Sequence, residues 1–244
     1  TDKNDLLIQR SVTTSTLFDL RGNAIDQSTD KFVVNELGAE KLATRTVIHN
    51  ENINARGDAG VQEITTYTTD DAGLNIEVTS FQVMTNRRFD GRHNVMNQMS
   101  YNYDLAGGEL LDISEIRSAG HTSSGVARVQ DIVTYDANGV DVIEGKHIAN
   151  SGISSSGNVE TSVIDIYTGA SMAAPGADLI TMTGRIEHQV ITTTVFDPRG
   201  NALEQEIEKT YYDLGLEIGT DVQVISNGAY GIHDRTLGST IKNY

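Results

Sequence analysis

Short runs of alternating β-branched and polar residues dominate this chain, and apolar positions rarely recur at helical spacing. Val190-Ile191-Thr192-Thr193-Thr194-Val195 and Asp131-Ile132-Val133-Thr134 fit a pleated, half-buried surface. An aromatic, an Asp and a nearby Gly follow several of these runs. The Asp carboxylate can accept a hydrogen bond from a backbone N–H two residues on, and Gly supplies the positive φ that ends a tight turn. A second alternation then leaves the turn, as in Asn201-Ala202-Leu203-Glu204-Gln205-Glu206-Ile207. The pattern predicts strand, turn, strand: an all-β array of antiparallel hairpins forming one elongated or spiralling sheet over residues 1–244.

The turn unit recurs. Its five-residue core reads Phe18-Asp19-Leu20-Arg21-Gly22, Tyr103-Asp104-Leu105-Ala106-Gly107, Tyr135-Asp136-Ala137-Asn138-Gly139 and Phe196-Asp197-Pro198-Arg199-Gly200. Looser copies stand at Tyr67 to Gly73, Phe89-Asp90-Gly91, Tyr167-Thr168-Gly169 and Tyr212-Asp213-Leu214-Gly215. The aromatics Phe32, Tyr67, Tyr103, Tyr135, Tyr167 and Phe196 are 35, 36, 32, 32 and 29 residues apart, a period typical of repeat architectures. Residues 14–25 also match residues 192–203 nearly position for position.

The unit resembles the RHS/YD repeat, whose core is Tyr/Phe-Asp-x-x-Gly-Asn. Phe18, Asp19, Gly22 and Asn23, and again Phe196, Asp197, Gly200 and Asn201, match every specified position. The spacing is less regular than the roughly 21-residue unit of that family, and several copies lack the Asp or the Asn. The resemblance implies hairpins stacked into a long antiparallel sheet, in some members a hollow shell around a toxin. It also implies that neighbouring hairpins bury one another's apolar faces. Asp197-Pro198 is similar to the start of the family's Asp-Pro-x-Gly-Leu self-cleavage motif. Position 201 is Asn instead of Leu, so an ordinary turn is expected there.

A few segments depart from the hairpin pattern. Helix formers in 35–45 predict a short helix, which Gly38 opposes. Residues 169–177, 119–125 and 150–158 read as small-residue or Ser/Gly loops. Both ends resemble cuts in a continuing pattern, so the chain is expected to be a piece of a longer array.

Composition narrows the function classes. With 18 Lys and Arg against 34 Asp and Glu, the net charge is −16, which repels phosphate backbones and argues against nucleic-acid binding. No run approaches the about 18 apolar residues of a membrane-spanning helix. Zero Cys excludes disulfides, thiolate metal sites and a Cys nucleophile. The histidines His49, His93, His121, His147, His188 and His233 show no metal-binding spacing, and no Gly-x-Ser-x-Gly elbow occurs. Oxygen-rich 69–75 and 136–141 lack calcium-loop spacing, so turn capping is the expected role of their Asp residues.

No catalytic residue, cofactor or metal is therefore assigned. The expected function is that of a structural segment of a large extracellular or cell-surface repeat protein: a scaffold, a filament or a shell. The alternatives are an adhesin or carbohydrate-binding module and a fragment of a toxin-enclosing shell. Self-association through open sheet edges, or a carbohydrate or other surface ligand, is the expected partner chemistry.

Overall fold

The computed structural model describes residues 8–34, 38–171 and 179–244. These residues form a single all-β, antiparallel sheet with strands in chain order and no helix among them. The strands are β1 (Gln9–Phe18), β2 (Ala24–Val34), β3 (Glu40–Glu51), β4 (Val61–Thr68), β5 (Glu77–Phe89), β6 (Val95–Tyr103) and β7 (Leu110–Ala119). They continue as β8 (Val129–Asp136), β9 (Val142–Ile153), β10 (Val159–Ser171), β11 (Thr181–Phe196), β12 (Ala202–Asp213), β13 (Leu216–Asn227) and β14 (Ser239–Asn243). Connections fall into two alternating sets. Outbound turns lead from each odd strand to the next even one, and return turns lead back to the following odd strand.

The strands follow from local sequence. Residues 40–45, expected in a short helix, instead begin β3, and residues 35–37 lie outside the described ones. Gly38 sits at φ 78°, and Thr44, Thr46, Val47 and Ile48 are β-branched. Pairing with β2 on one side and β4 on the other then satisfies the extended backbone. Of the loops expected at 119–125 and 150–158, the first runs over 120–128, between Ala119 of β7 and Val129 of β8, and the second is confined to 154–158 because β9 runs to Ile153. Of the loop expected at 169–177, residues 169–171 belong to β10 and the remainder lies outside the described residues.

The chain clusters into two compact units. The first comprises Thr1–Asn86, Ser100–Leu111 and Ala229–Leu237, and the second Arg87–Met99, Asp112–Gly228 and Gly238–Tyr244. In the first, the distant segment Ala229–Leu237 is held by Lys31 Nζ at 2.7 Å from Asp234 Oδ2. His233 Nε2 adds a 3.4 Å contact to the Asp70 carbonyl. Nothing in the sequence pattern announced that attachment.

The interior is unusually polar. Among the described residues the buried apolar side chains are Val33, Ala43, Ile113, Ala127, Val133, Tyr135 and Ile180, fewer than the buried polar and charged ones. Large apolar residues such as Leu20, Leu74, Val140, Leu214 and Leu216 are exposed. Mutual shelter of oily faces therefore contributes less than the hairpin pattern suggests.

In the second unit, Arg117 and Asp131 are directly opposed on β7 and β8, and they are 0% and 1% exposed. The Arg117 guanidinium is bonded to Glu115, which is itself buried and lies 3.4 Å from Arg87. Asp131 is held from both sides, by His147 Nδ1 at 2.6 Å and by the Ile180 N–H at 2.6 Å. A buried charge that loses its partner destabilises strongly. Glu115→Ala is expected to cost about 3–5 kcal/mol, read as a lowered urea midpoint with unchanged slope.

Candidate functional site

The most regular local structure is the outbound turn. Among the described residues it spans five residues in each of seven places: 19–23, 54–58, 90–94, 122–126, 154–158, 197–201 and 231–235. In every case the first residue's N–H donates to the fifth residue's carbonyl, at 2.8–3.0 Å. The fourth residue's N–H donates back to the first residue's carbonyl, at 3.0–3.3 Å. The fourth residue has positive φ throughout: Gly22 85°, Gly57 90°, His93 70°, Gly125 83°, Gly157 92°, Gly200 90° and Asp234 54°. This is a three-residue hairpin loop, a type I turn followed by a left-handed residue.

Side chains finish the turn. Asp19 Oδ1 accepts from the Arg21 and Asn23 N–H groups at 2.8 and 2.9 Å, and its Oδ2 takes the Asn23 amide at 2.8 Å. Asp197 does the same with Arg199 and Asn201, and Asp90 with Arg92 and Asn94. Asn54 fills that place in its own turn, accepting from Arg56 and Asp58, and Ser154 accepts from Asn158 N–H. Sequence reasoning missed 54–58, 122–126, 154–158 and 231–235 because Asn, Thr, Ser and Gly replace the leading Asp.

The quoted motifs therefore separate. Phe18, Asp19, Gly22 and Asn23, and likewise Phe196, Asp197, Gly200 and Asn201, form outbound turns. Tyr103, Asp104 and Gly107, and Tyr135, Asp136 and Gly139, stand on return turns of other geometry. Asp136 closes a six-residue turn to Asp141, and its Oδ1 accepts from Asn138 N–H. Asp104 N–H donates to the Glu109 carbonyl, while the tight turn itself runs from Leu105 to Gly108. A Cβ on Gly108 would lie 1.8 Å from Asp104 Oδ1, so a larger residue there requires the Asp104 carboxylate to move. The return side varies further, since Leu214-Gly215 alone joins β12 to β13.

The recurrent aromatics of the even strands have their own setting. The register shifts by one residue immediately before Phe32, Tyr67, Tyr135 and Tyr167, a β-bulge at each. Each lies five positions after a Gln or Ser: Gln27, Gln62, Gln130 and Ser162.

Those Gln and Ser residues belong to a polar ladder that no motif revealed. Across each of six outbound hairpins, residues 12 apart are directly paired: Ser15/Gln27, Asn50/Gln62, Ser118/Gln130, Asn150/Ser162, Thr193/Gln205 and Asn227/Ser239. In the first unit the bonds run on without a break. Gln27 Nε2 reaches Ser15 Oγ, Asn50 Nδ2 reaches Gln27 Oε1, Gln62 Nε2 reaches Asn50 Oδ1, and Asn86 Nδ2 reaches Gln62 Oε1, at 2.9–3.4 Å. The same Asn amides also donate to the carbonyl just past a preceding turn: Asn50 to Ala24, Asn86 to Ala59, Asn150 to Ala127 and Asn227 to Ala202, at 2.9–3.1 Å. Carbonyls left over where each hairpin opens are thus satisfied. Sequence could have shown the ladder through its constant spacing of 12.

Successive turns touch in the same manner. A Cβ on Gly57 would meet Asn23 Oδ1 at 3.0 Å, one on Gly125 would meet Asn94 Oδ1 at 3.6 Å, and one on Gly200 would meet Asn158 Oδ1 at 2.7 Å. The fifth residue of one turn therefore roofs the glycine of another. Beneath this row, Asn23, Gln27, Asn50, Gly57 and Gln62 line a polar cleft of about 280 Å³.

The turn carboxylates are shifted accordingly. Asp90 is pulled down to about 2, chiefly by the Asn94 amide and, against a smaller desolvation, by the Asn94 and Arg92 N–H groups and nearby His121. The Asn23 amide and N–H lower Asp19, and the Leu74 N–H lowers Asp70. His49 is raised by its 2.6 Å bond to Asp26. Among the described residues no group of three or more His, Asp or Glu is placed to hold a metal, and no helix is long and apolar enough to cross a membrane. Compared with known proteins, the chain matches no family model and no curated sequence.

Two outcomes are expected. Gly22→Ala and Gly200→Ala both force an L-residue into positive φ, but only Gly200→Ala also meets Asn158; it is expected to cost about 1 kcal/mol more, a difference erased by Asn158→Ala in a double-mutant cycle. For Asp90 the folded form binds its proton more weakly than the unfolded form. Its stabilisation is therefore complete above about pH 4 and disappears as pH falls towards 2. Asp90→Asn keeps the turn, as native Asn54 does. Urea midpoints measured from pH 5 to about pH 2 should accordingly fall less steeply in that variant.

Proposed function

We propose that the chain is a structural segment of a larger extracellular or cell-surface repeat protein, a tandem array of hairpins of RHS/YD type serving as a scaffold. The observation that carries this reading is the sevenfold recurrence of one outbound-turn geometry, with a polar ladder crossing beneath it. Such an array spends its Asp, Asn and Gly residues on holding the backbone. The turn Asp carboxylates that would otherwise be candidates for acid–base chemistry are occupied by the N–H groups of their own turns. A net charge of −16 favours solubility and discourages indiscriminate sticking, as suits an exposed surface. The absence of Cys leaves stability to hydrogen bonding instead of disulfides.

One observation favours a second reading, a binding module. The amide-lined cleft beside Asn23 and Gly57 offers side-chain donors and acceptors suited to a polyhydroxylated ligand, such as a carbohydrate. No aromatic side chain lines it, so stacking on a sugar ring would be missing.

The scaffold reading is tested on whole cells. Antibodies raised against this chain are expected to label intact, unpermeabilised source cells, and brief surface proteolysis should remove the label. Recovery of the protein solely in the cytosolic fraction would end this reading.

A further inference from the structure

The cleft beneath the turns at 19–23 and 54–58 is set apart by the bonding capacity that its amides retain. Four carboxamides line it, those of Asn23, Gln27, Asn50 and Gln62. The rest of the lining is apolar or bare backbone, from Ala24, Ile53, Ala59 and Gly57, and no charged residue takes part.

A primary carboxamide carries two N–H hydrogens and a carbonyl oxygen with two lone pairs. Asn50 uses both hydrogens, on the Ala24 carbonyl and on Gln27 Oε1. Asn23 uses one on Asp19 Oδ2, Gln27 one on Ser15 Oγ and Gln62 one on Asn50 Oδ1. Each of those three amides therefore keeps a second hydrogen, and Asn23 Oδ1 accepts no hydrogen bond among the described residues. The ladder is also loosest here. Both side-chain bonds of Gln27 measure 3.4 Å, against 2.9 Å for the next two steps, Gln62 to Asn50 and Asn86 to Gln62.

We infer that this cleft binds the acetamido group of a neutral N-acetylated amino sugar. The inference rests on the binding-module reading above and narrows its ligand. A secondary amide is the ladder's own bonding unit, because its carbonyl accepts from an amide N–H and its N–H donates to an amide oxygen. The carbonyl has the second hydrogens of Gln27 and Gln62 to accept from, and the N–H has Asn23 Oδ1. The methyl group has Ala24, Ile53 and Ala59, so the small apolar part of the lining is matched as well. At about 280 Å³ the cleft lies at the lower end of ligand pockets, which suits a single sugar unit.

The same lining rejects near relatives of that ligand. A plain sugar has no methyl for the apolar wall and no planar donor–acceptor pair for the amides. An amino sugar without its acetyl group brings an ammonium charge into a wall that holds no counter-charge, and burying it there is costly.

Nuclear magnetic resonance of the isotopically labelled chain, read at its side-chain amide signals, tests this. N-acetylglucosamine is expected to shift the Gln27 and Gln62 signals with a dissociation constant of about 1 mM, as befits a small ligand without a stacking partner. Glucose should bind at least about 10-fold more weakly. Gln27→Met keeps the shape of that side chain without its amide and should weaken N-acetylglucosamine binding by about 10-fold. Ala59→Leu fills the cleft while leaving every amide in place, and should abolish the shifts. Gln205→Met, the same change on the ladder of the second unit, should leave binding unaltered. Equal losses in Gln27→Met and Gln205→Met would overturn the acetamido assignment. Equal binding of glucose, or tighter binding of N-acetylglycine methylamide as a capped peptide unit, would overturn it too while the binding reading stands. No shift with any of the three probes ends both. The scaffold reading fails separately, through cytosolic location.

Discussion

Every hairpin in this sheet has to satisfy the peptide groups that its own turn leaves unpaired, and that requirement organises the rest. A buried or half-buried backbone group without a partner costs as much as a lost hydrogen bond. At the tip, a leading Asp, Asn or Ser collects the spare N–H groups. Just inside the tip, an Asn amide from a neighbouring hairpin collects the spare carbonyl of Ala24, Ala59, Ala127 or Ala202. Because that amide comes from the next hairpin, satisfying one turn also fixes the position of its neighbour. Backbone chemistry and sheet register are in this way solved by the same side chains.

This arrangement accounts for the composition of the interior. A polar ladder needs close, directional contacts and leaves little room for large apolar side chains. Asn50, Asn86, Asn97 and Ser100 are buried where a two-layer protein would place Leu or Val. The charged cluster of Glu115, Arg117 and Asp131 extends the same logic into the second unit. Cohesion then depends on many bonds of modest net strength.

Much of the architecture was legible in the chain. Alternating β-branched runs ending in Asp-x-x-Gly announced antiparallel hairpins, and strands stand where those runs occur. Residues 40–45 misled because Glu, Lys, Leu and Ala are good helix formers, yet pairing on both sides overrode that weak preference. The motif reading also merged two kinds of turn, since Asp19 and Asp136 sit in similar words but on different sets of connections. The ladder was invisible to motif reading because Ser, Thr, Asn and Gln interchange along it, and only their spacing is constant. The tie between Lys31 and Asp234 spans 203 positions and has no local signal at all.

One offset recurs between hairpins, with Gln27 opposite Ile48, Gln62 opposite Met84, Gln130 opposite Ile148, Ser162 opposite Ile191 and Gln205 opposite Ile225, and it has a genetic corollary. Unequal crossing-over between two hairpin-coding segments that share this offset would leave the new seam matched. An array of this kind can lengthen or shorten by whole modules over generations. A single inserted codon within a strand is another matter, since it would turn the strand's inward residues outward. Such a gene tolerates change in length far better than change in phase.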